Sequence, residues 1–346
     1  APCCLQSSRK GGSLTSSMGA SKRGYAPSSI FPIFTTFRKL CQKYKKDMAL
    51  NIIHKSKGIW VSKSYSSLVY LLPILILSGL FLSHILGAFI CQFLFDVSFF
   101  SSTQDVFDPQ NKKLIDAMKL MQFFNALGVF IVPPIIFLHF RGVAFYTYLK
   151  LNSTIYIQGV LTIFIMALVM IPVANFFGAL NAMLPLPEFL SFLQEIETQT
   201  ILITEQFLVM DTLIDLLLML GLIGFLAAAG EELLFRGVLQ NLFQEWFGSP
   251  NIAIWLTAFL FSVIHLQYHA VLPRFVLGAL IGYVYVNSGN LRSAMLLHFF
   301  YNSILVLLTF FIQHGGIDAS WEEVARRLYQ LLHFPISYSC CYFSLW

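Results

Sequence analysis

The chain has very little charge. Aspartate, glutamate, lysine and arginine make up only 11% of its 346 residues, whereas a soluble domain has about 25%. Hydrophobic residues reach 57%, and phenylalanine alone occurs 35 times. This balance excludes a soluble globular domain. It predicts an all-α fold, a polytopic transmembrane helical bundle with seven or eight spans and an intramembrane cavity.

Cysteine-based sites are also missing from the sequence. The six cysteines include no Cys-x-x-Cys pair, and all except Cys91 lie towards the ends of the chain: Cys3, Cys4, Cys41, Cys340 and Cys341. Adjacent cysteines match neither a disulfide framework nor zinc-ligand spacing. The motif His-Glu-x-x-His is absent as well, so no local pattern of this kind predicts a metal site.

Acidic residues are absent from positions 1–46, which carry nine lysines and arginines. The remaining chain has 13 basic and 17 acidic residues, so the net charge of +5 comes from this head and not from a nucleic-acid-binding face. We therefore expect no nucleic acid among the partners. Because residues 1–47 are Ser-rich and show no helical apolar period, they are predicted to be a disordered, targeting or non-native segment.

Long apolar stretches dominate residues 48–314, which we interpret as a membrane bundle followed by a C-terminal amphipathic tail at 315–346. Seven stretches are long enough to count as spans. They cover about 67–95, 118–140 (broken by Pro133-Pro134), 155–180 (with Pro172 inside), 211–229, 251–267, 271–286 and 294–312. An eighth span is predicted if the segment that holds Glu231 is re-entrant or independently buried.

The charges between the stretches predict the orientation of the chain. Lys55, Lys57 and Lys63 precede the first stretch, which places the N-terminus in the cytoplasm. The connection 181–206 contains four glutamates and no lysine or arginine, as expected of an outside loop. We expect an integral, multi-pass protein of a bacterial cytoplasmic membrane.

Three charged residues stand out after the fourth stretch: Glu231, Glu232 and Arg236. Each charge in a bilayer costs about 2.5–3.5 kcal/mol on insertion scales, so such a group needs pairing, a wet cavity or a function. In a helix, Glu232 and Arg236 share a face and can form an ion pair. Glu231 then points about 100° away and is free for another task.

Two further polar pairs follow in apolar stretches. Phe261 and His265 are four residues apart, and so are His298 and Asn302. A single histidine in a membrane helix is often only hydrogen-bonded to another helix. Each histidine here has a partner one turn away, so we expect Glu231, His265, His298 and Asn302 to face one cavity.

Together these residues resemble the CAAX protease and bacteriocin-processing family of intramembrane peptidases, which are type II CAAX prenyl endopeptidase-like. The family motifs EExxxR, FxxxH and HxxxN correspond in order to Glu231-Glu232-x-x-x-Arg236, Phe261-x-x-x-His265 and His298-x-x-x-Asn302. The resemblance covers a catalytic core of about 213–308. It implies intramembrane peptide hydrolysis.

The resemblance and the residue types together suggest a role for each side chain. Glu231 is expected to activate water as general base, and His265 to orient that water. His298 and Asn302 are expected to stabilise the oxyanion. Glu232, Arg236 and Phe261 are expected to support the site.

No cofactor is required by this interpretation. A catalytic zinc held by Glu231, His265 and His298 is the alternative, because two histidines and a carboxylate can bind zinc and leave a position for water.

The expected partners are the lipid bilayer and a peptide or membrane-protein substrate, which the resemblance suggests is a prenylated protein or a peptide linked to bacteriocin maturation and immunity. Two other functions are compatible with the same residues. One is a proton-coupled transporter in which Glu231 and the histidines form a relay. The other is a non-catalytic membrane scaffold of the same fold.

Overall fold

The structure of the protein is a computed structural model that describes residues 65–98, 111–152 and 154–315. These residues form helices and connections without strands. The principal helices are α1 (Tyr65–Phe95), α2 (Lys112–Arg141), α3 (Ile157–Ala182), α4 (Phe192–Phe207), α5 (Leu213–Phe247), α6 (Pro250–Val263), α7 (Val271–Ser288) and α8 (Leu291–Gln313). The predicted head at 1–47, the first part of the predicted bundle at 48–64 and the tail beyond Gly315 lie outside the described residues.

Six of the described helices are long and apolar enough to cross a bilayer: α1, α2, α3, α5, α7 and α8. The protein is therefore an all-α, multi-pass integral membrane protein, as predicted. The stretch predicted at 251–267 differs, because α6 ends at Val263 after 14 residues. At 1.5 Å per residue α6 is about 21 Å long, less than the ~30 Å hydrocarbon thickness.

Helix α2 is continuous where the sequence predicts a break. A π-helical segment, Leu127–Ile131, comes just before Pro133 and Pro134 and joins the two α-helical parts of α2. The prolines fall in the first turn of the second part, where a missing backbone N–H is tolerated. The predicted interruption of this span is therefore wrong.

Helix α5 extends well beyond the predicted end at residue 229. It runs from Leu213 to Phe247, so the charged motif lies in the middle of an apolar helix and not at its end. Its N-terminus is closed by a capping box, in which Thr212 and Asp215 bond to each other's backbone N–H groups. The charges in its middle are accommodated because protein surrounds them.

The predicted outside loop also contains a helix, α4. From it, the buried Glu197 accepts hydrogen bonds from the backbone N–H of His269 (3.3 Å) and from its ring Nδ1 (2.9 Å). Asn181, in the last turn of α3, binds the same turn between α6 and α7. Its side chain donates to the carbonyl of Tyr268 (2.9 Å) and accepts from the N–H of Leu272 (2.7 Å). Helices α3 and α4 therefore fix the start of α7.

Candidate active site

Helix α5 changes its winding on both sides of the glutamate pair. Residues Leu220–Ala227 and Leu233–Gln240 are π-helical, and only the short segment Ala228–Glu232 between them is α-helical. Wide turns of this type are rare, redirect backbone carbonyls and occur frequently at functional sites. Here they determine which way Glu231 and Glu232 point.

Glu232 and Arg236 form the ion pair that their spacing predicts. Arg236 Nη1 donates to Glu232 Oε1 over 2.7 Å, and both side chains are fully buried, at 0% exposure. Arg236 Nη2 donates to the carbonyl of Gly278 in α7 over 2.8 Å. The pair thus connects α5 to α7 in the protein interior.

His298 joins the same carboxylate from α8. Its Nδ1 lies 2.8 Å from Glu232 Oε1, and its Nε2 lies 4.0 Å from Glu231 Oε2. Because an ionised carboxylate can only accept, the proton of this hydrogen bond belongs to Nδ1. In the neutral ring Nε2 is then an acceptor that faces Glu231.

Phe261, in α6, lies between the charged groups. The guanidinium carbon of Arg236 is 4.9 Å from the centroid of its ring, within cation–π distance. The ring centroid of Phe261 is 6.1 Å from that of His298 and 5.2 Å from that of His265, edge to face in both cases. Gly278 leaves room for it, because a Cβ there would come within 3.2 Å of Phe261 Cδ1.

Asn302 is one turn beyond His298 in α8. Its side-chain Nδ2 donates to the backbone carbonyl of Ile223 over 3.1 Å. Ile223 belongs to the first π-helical segment of α5, where carbonyls are not all used by the regular helical pattern. One N–H of Asn302 is therefore already committed to holding α8 against α5.

His265 is not placed as predicted, because it does not lie inside a helix. Helix α6 ends at Val263, and His265 lies in the following turn, next to Leu266 with its positive φ of 54°. Its Nδ1 donates to the carbonyl of Phe261 over 2.7 Å, which satisfies one of the unpaired carbonyls at the helix end. Unlike the other predicted catalytic residues, His265 does not line the cavity described next.

A small cavity of about 30 Å³ lies among α3, α5, α6, α7 and α8, which is room for roughly two water molecules. The residues that line it include the predicted Glu231, Phe261, His298 and Asn302. Apolar residues complete most of its wall: Met170, Ile223, Ala227, Leu277 and Ile281. The structure thus brings together residues from all three motifs around one site large enough for a reactive water.

The arrangement agrees with a comparison against protein families. Residues 213–304 match the family model described as Type II CAAX prenyl endopeptidase Rce1-like. Neither a search of curated proteins nor one of solved structures gave a match. The Rce1-like segment extends from the start of α5 into α8 and covers about a quarter of the chain. It contains every residue of the three motifs, which supports a membrane-bound peptide hydrolase.

Two polar residues of the Rce1-like segment line the cavity but belong to none of its motifs: Arg274 of α7 and Tyr301 of α8. Both are buried. The sequence did carry a signal for Arg274, since it is a single charge within an apolar stretch and incurs the same insertion cost as Glu231. Nothing in the spacing distinguishes Tyr301 from the surrounding aromatic residues.

The predicted zinc ligands do not fit a metal site in this structure. Among the described residues, no three His, Cys, Asp or Glu side chains are grouped so that they could hold one metal ion. Each of the two histidines could offer only Nε2 to a metal, because Nδ1 of His298 bonds to Glu232 and Nδ1 of His265 bonds to the carbonyl of Phe261.

Proposed function

We propose that the protein is an intramembrane endopeptidase that hydrolyses peptide bonds with a water molecule activated by Glu231. The observation that carries the proposal is the buried Glu231 carboxylate in a water-sized cavity, 4.0 Å from His298 Nε2, inside the Rce1-like segment. A carboxylate in apolar surroundings is suited to accept and return a proton near neutral pH.

Water bound between Glu231 and His298 would attack the carbonyl carbon of the substrate. Glu231 takes one proton from it and later returns that proton to the leaving nitrogen. His298 accepts the second hydrogen bond of the water at Nε2, because Nδ1–H is fixed by Glu232. This assigns His298 to holding the water, and the oxyanion role expected for it passes to other donors.

Asn302 is the motif residue that remains for the oxyanion. It would use the N–H that does not bond to Ile223. His265 keeps its expected role in orienting the water only if Nε2, the ring nitrogen that does not bond to Phe261, reaches the cavity once a substrate separates the helices. Replacing His265 by alanine tests that role separately, since its bond to Phe261 also caps α6.

The substrate that we propose is a prenylated protein C-terminus, a class named in the description of the matched family. The lysines before α1 favour an N-terminus on the cytoplasmic side. A bacterial membrane and a link to bacteriocin immunity, both expected from the resemblance, are further proposals that need the natural substrate. A proton-coupled transporter is the rival function, and a cleavage assay in liposomes distinguishes it from a peptidase.

The test uses the full chain in liposomes with a prenylated, internally quenched peptide and the same peptide without its prenyl group. Wild-type protein should cleave the prenylated peptide. Glu231→Gln should reduce the rate by about 10²–10⁴-fold, the usual contribution of a general base, without lowering the unfolding temperature. Glu188→Gln, which changes an exposed glutamate, is the matched control. Movement of solute or protons without cleavage would support the transporter instead.

Metal dependence is tested by elemental analysis of the same preparation before and after chelation. We expect cleavage to continue in protein that contains less than stoichiometric metal. Stoichiometric zinc that is lost together with activity would contradict the metal-independent mechanism.

A further inference from the structure

Arg274 stands out as a buried charge with no role in the motifs. Only 3% of its surface is exposed, and its side chain lines the cavity together with Glu231 and Asn302. Its Nε and Nη1 have no hydrogen-bond partner among the described residues. Arg236, equally buried, donates instead to Glu232 and to the carbonyl of Gly278.

A buried guanidinium with unpaired N–H groups is costly, because those groups have lost their water and gained no other partner. No ion pair within 4.0 Å joins Arg274 to a carboxylate in the described part of the chain. Two carboxylates act on it from a greater distance, Glu231 on α5 and Glu197 on α4. Glu197 is engaged with His269, and Glu231 is needed for the water. The unused donors of Arg274 therefore suit a negatively charged oxygen that arrives with the substrate.

The place of Arg274 in the cavity suggests what that oxygen can be. Arg274 lines the cavity together with Glu231 and Asn302, so an oxygen that reaches its unused donors lies beside the water that Glu231 activates. The oxygen that gains charge there during hydrolysis is that of the reacting carbonyl group. The other expected donors are partly used, since His298 Nδ1 donates to Glu232 and Asn302 Nδ2 donates to Ile223.

We propose that Arg274 is a further catalytic residue, which donates to the oxyanion from one of its unused N–H groups, on Nε or on Nη1, and then binds the new carboxylate of the product. This inference rests on the proposed peptidase function. When the water oxygen bonds to the carbonyl carbon, the electron pair of the C=O bond moves to the oxygen beside Arg274. When the C–N bond breaks, that pair re-forms the carbonyl and the nitrogen leaves with the proton from Glu231. The product acid then gives the second proton of the water to the Glu231 carboxylate, and the resulting carboxylate binds to the guanidinium through charge-assisted hydrogen bonds.

The test compares Arg274→Gln and Arg274→Lys with the matched change Arg292→Gln, at an exposed arginine of α8. Losing a main oxyanion donor costs about 10²–10³-fold in kcat. We expect that loss in Arg274→Gln with KM little changed, a smaller loss in Arg274→Lys, and none in Arg292→Gln. The unfolding temperature of Arg274→Gln should not fall, because the substitution removes an unpaired charge. A lower unfolding temperature in both Arg274 variants would show a structural role and overturn the proposal.

Two further measurements identify the oxygen that Arg274 binds. The cleaved fragment with its free carboxylate should inhibit wild-type protein more than the same fragment as an amide, and Arg274→Gln should abolish this difference. The kcat loss should be equal for substrates whose own C-terminus is an acid or an amide. A loss confined to the acid would place Arg274 at the substrate terminus and overturn the oxyanion assignment. Normal cleavage by Arg274→Gln would overturn this inference alone, whereas no cleavage by wild-type protein would overturn the proposed function as well.

Discussion

Helices α1 and α3 have apolar sequences like those of α5, α7 and α8, but the two groups have different surroundings in the protein. In their most apolar stretches, only 17% of α1 and 22% of α3 is buried inside the protein, against 44% of α5, 50% of α7 and 44% of α8. Large side chains of α1, such as Leu77, Phe81 and Phe93, are exposed and available to lipid. Helices α1 and α3 therefore expose more of their apolar surface to lipid, whereas α5, α7 and α8 contribute more of theirs to the protein interior.

The buried polar residues are concentrated in the helices that form the protein interior. The fully buried pair Glu232–Arg236 and the cavity-lining Arg274, Glu231 and His298 all come from the later helices. Where α1 meets α2, close contact depends instead on glycines, as at Gly79 and Gly128. Two helices of similar hydropathy can thus be held by different forces, by charge pairing in one region and by the close approach of small residues in the other.

The largest expected effect comes from breaking the charge pairing. Glu232→Gln or Arg236→Met alone should lower the free energy of unfolding by about 3–5 kcal/mol, because each leaves the other charge buried without its partner. The double variant should lose less than the sum of the two single variants, since no lone charge of the pair remains. Unfolding of detergent-solubilised protein measures these differences.

Glu195→Gln, at an exposed glutamate of α4, is the control for that series and should stay within about 0.5 kcal/mol of wild type. Single variants as stable as the wild type would mean that water reaches the pair, and would remove the distinction between the two regions.

A smaller effect is expected where glycines hold the helices. Gly79→Ala should lower the free energy of unfolding by about 1–3 kcal/mol, because the added methyl would overlap the backbone carbonyl of Gly128, which cannot rotate away. Gly221→Ala is the matched control, since nothing lies within 4 Å of a Cβ at that position. That change should be neutral or stabilise by up to about 1 kcal/mol through helix propensity. Equal stability of the two variants would contradict close packing of α1 on α2.

An effect that depends on pH concerns Lys150, which connects the two regions. It follows α2, and its Nζ lies 4.5 Å from the centroid of the Tyr285 ring of α7. Burial lowers the pKa of Lys150 from 10.5 to about 7, and Glu245 partly opposes the shift. Between those two pKa values the unfolded chain binds the extra proton, so the free energy of unfolding should rise with pH from about 7 to 10.5.

The slope of that rise is at most about 1.4 kcal/mol per pH unit, and the gain is absent below pH 7, where both states are protonated. Lys150→Met should flatten the curve in this window, as followed by unfolding at a series of pH values. Lys113→Met, at an exposed lysine of α2, should leave it unchanged. A curve that Lys150→Met does not alter would show that Lys150 stays charged in the folded protein.

Composition was sufficient to predict the helical membrane class, and hydropathy located most spans to within a few residues. The failures have physical causes. Hydropathy continues through Ile264 and Leu266, but the helix stops at Val263 because the backbone turns there, with Leu266 at positive φ. Hydropathy falls at the charged residues of α5, so the predicted span ends there. The helix itself continues, because protein surrounds these charges.

The spacing of polar residues along the sequence predicted one part of the site and missed another. The four-residue interval was enough to predict the pair Glu232–Arg236, because both lie on one helix. It did not reveal that His298 shares the Glu232 carboxylate, since that contact joins α8 to α5 and depends on how the helices pack. His265 satisfied the motif but lies in a turn, where its ring caps the helix end. Arg274 has no motif partner, and only a cavity can show what it faces.

A wide helical turn contains one residue more than the α-helical turn it replaces. Removing one residue from 220–227 would hardly change the length or the mean hydropathy of α5. It would nevertheless rotate Glu231 by about 100° relative to the preceding part of the helix. Natural variants of this segment should therefore exchange residues freely but rarely shorten or lengthen it, and a one-residue gap before the glutamates would need compensation in the helices that pack against them.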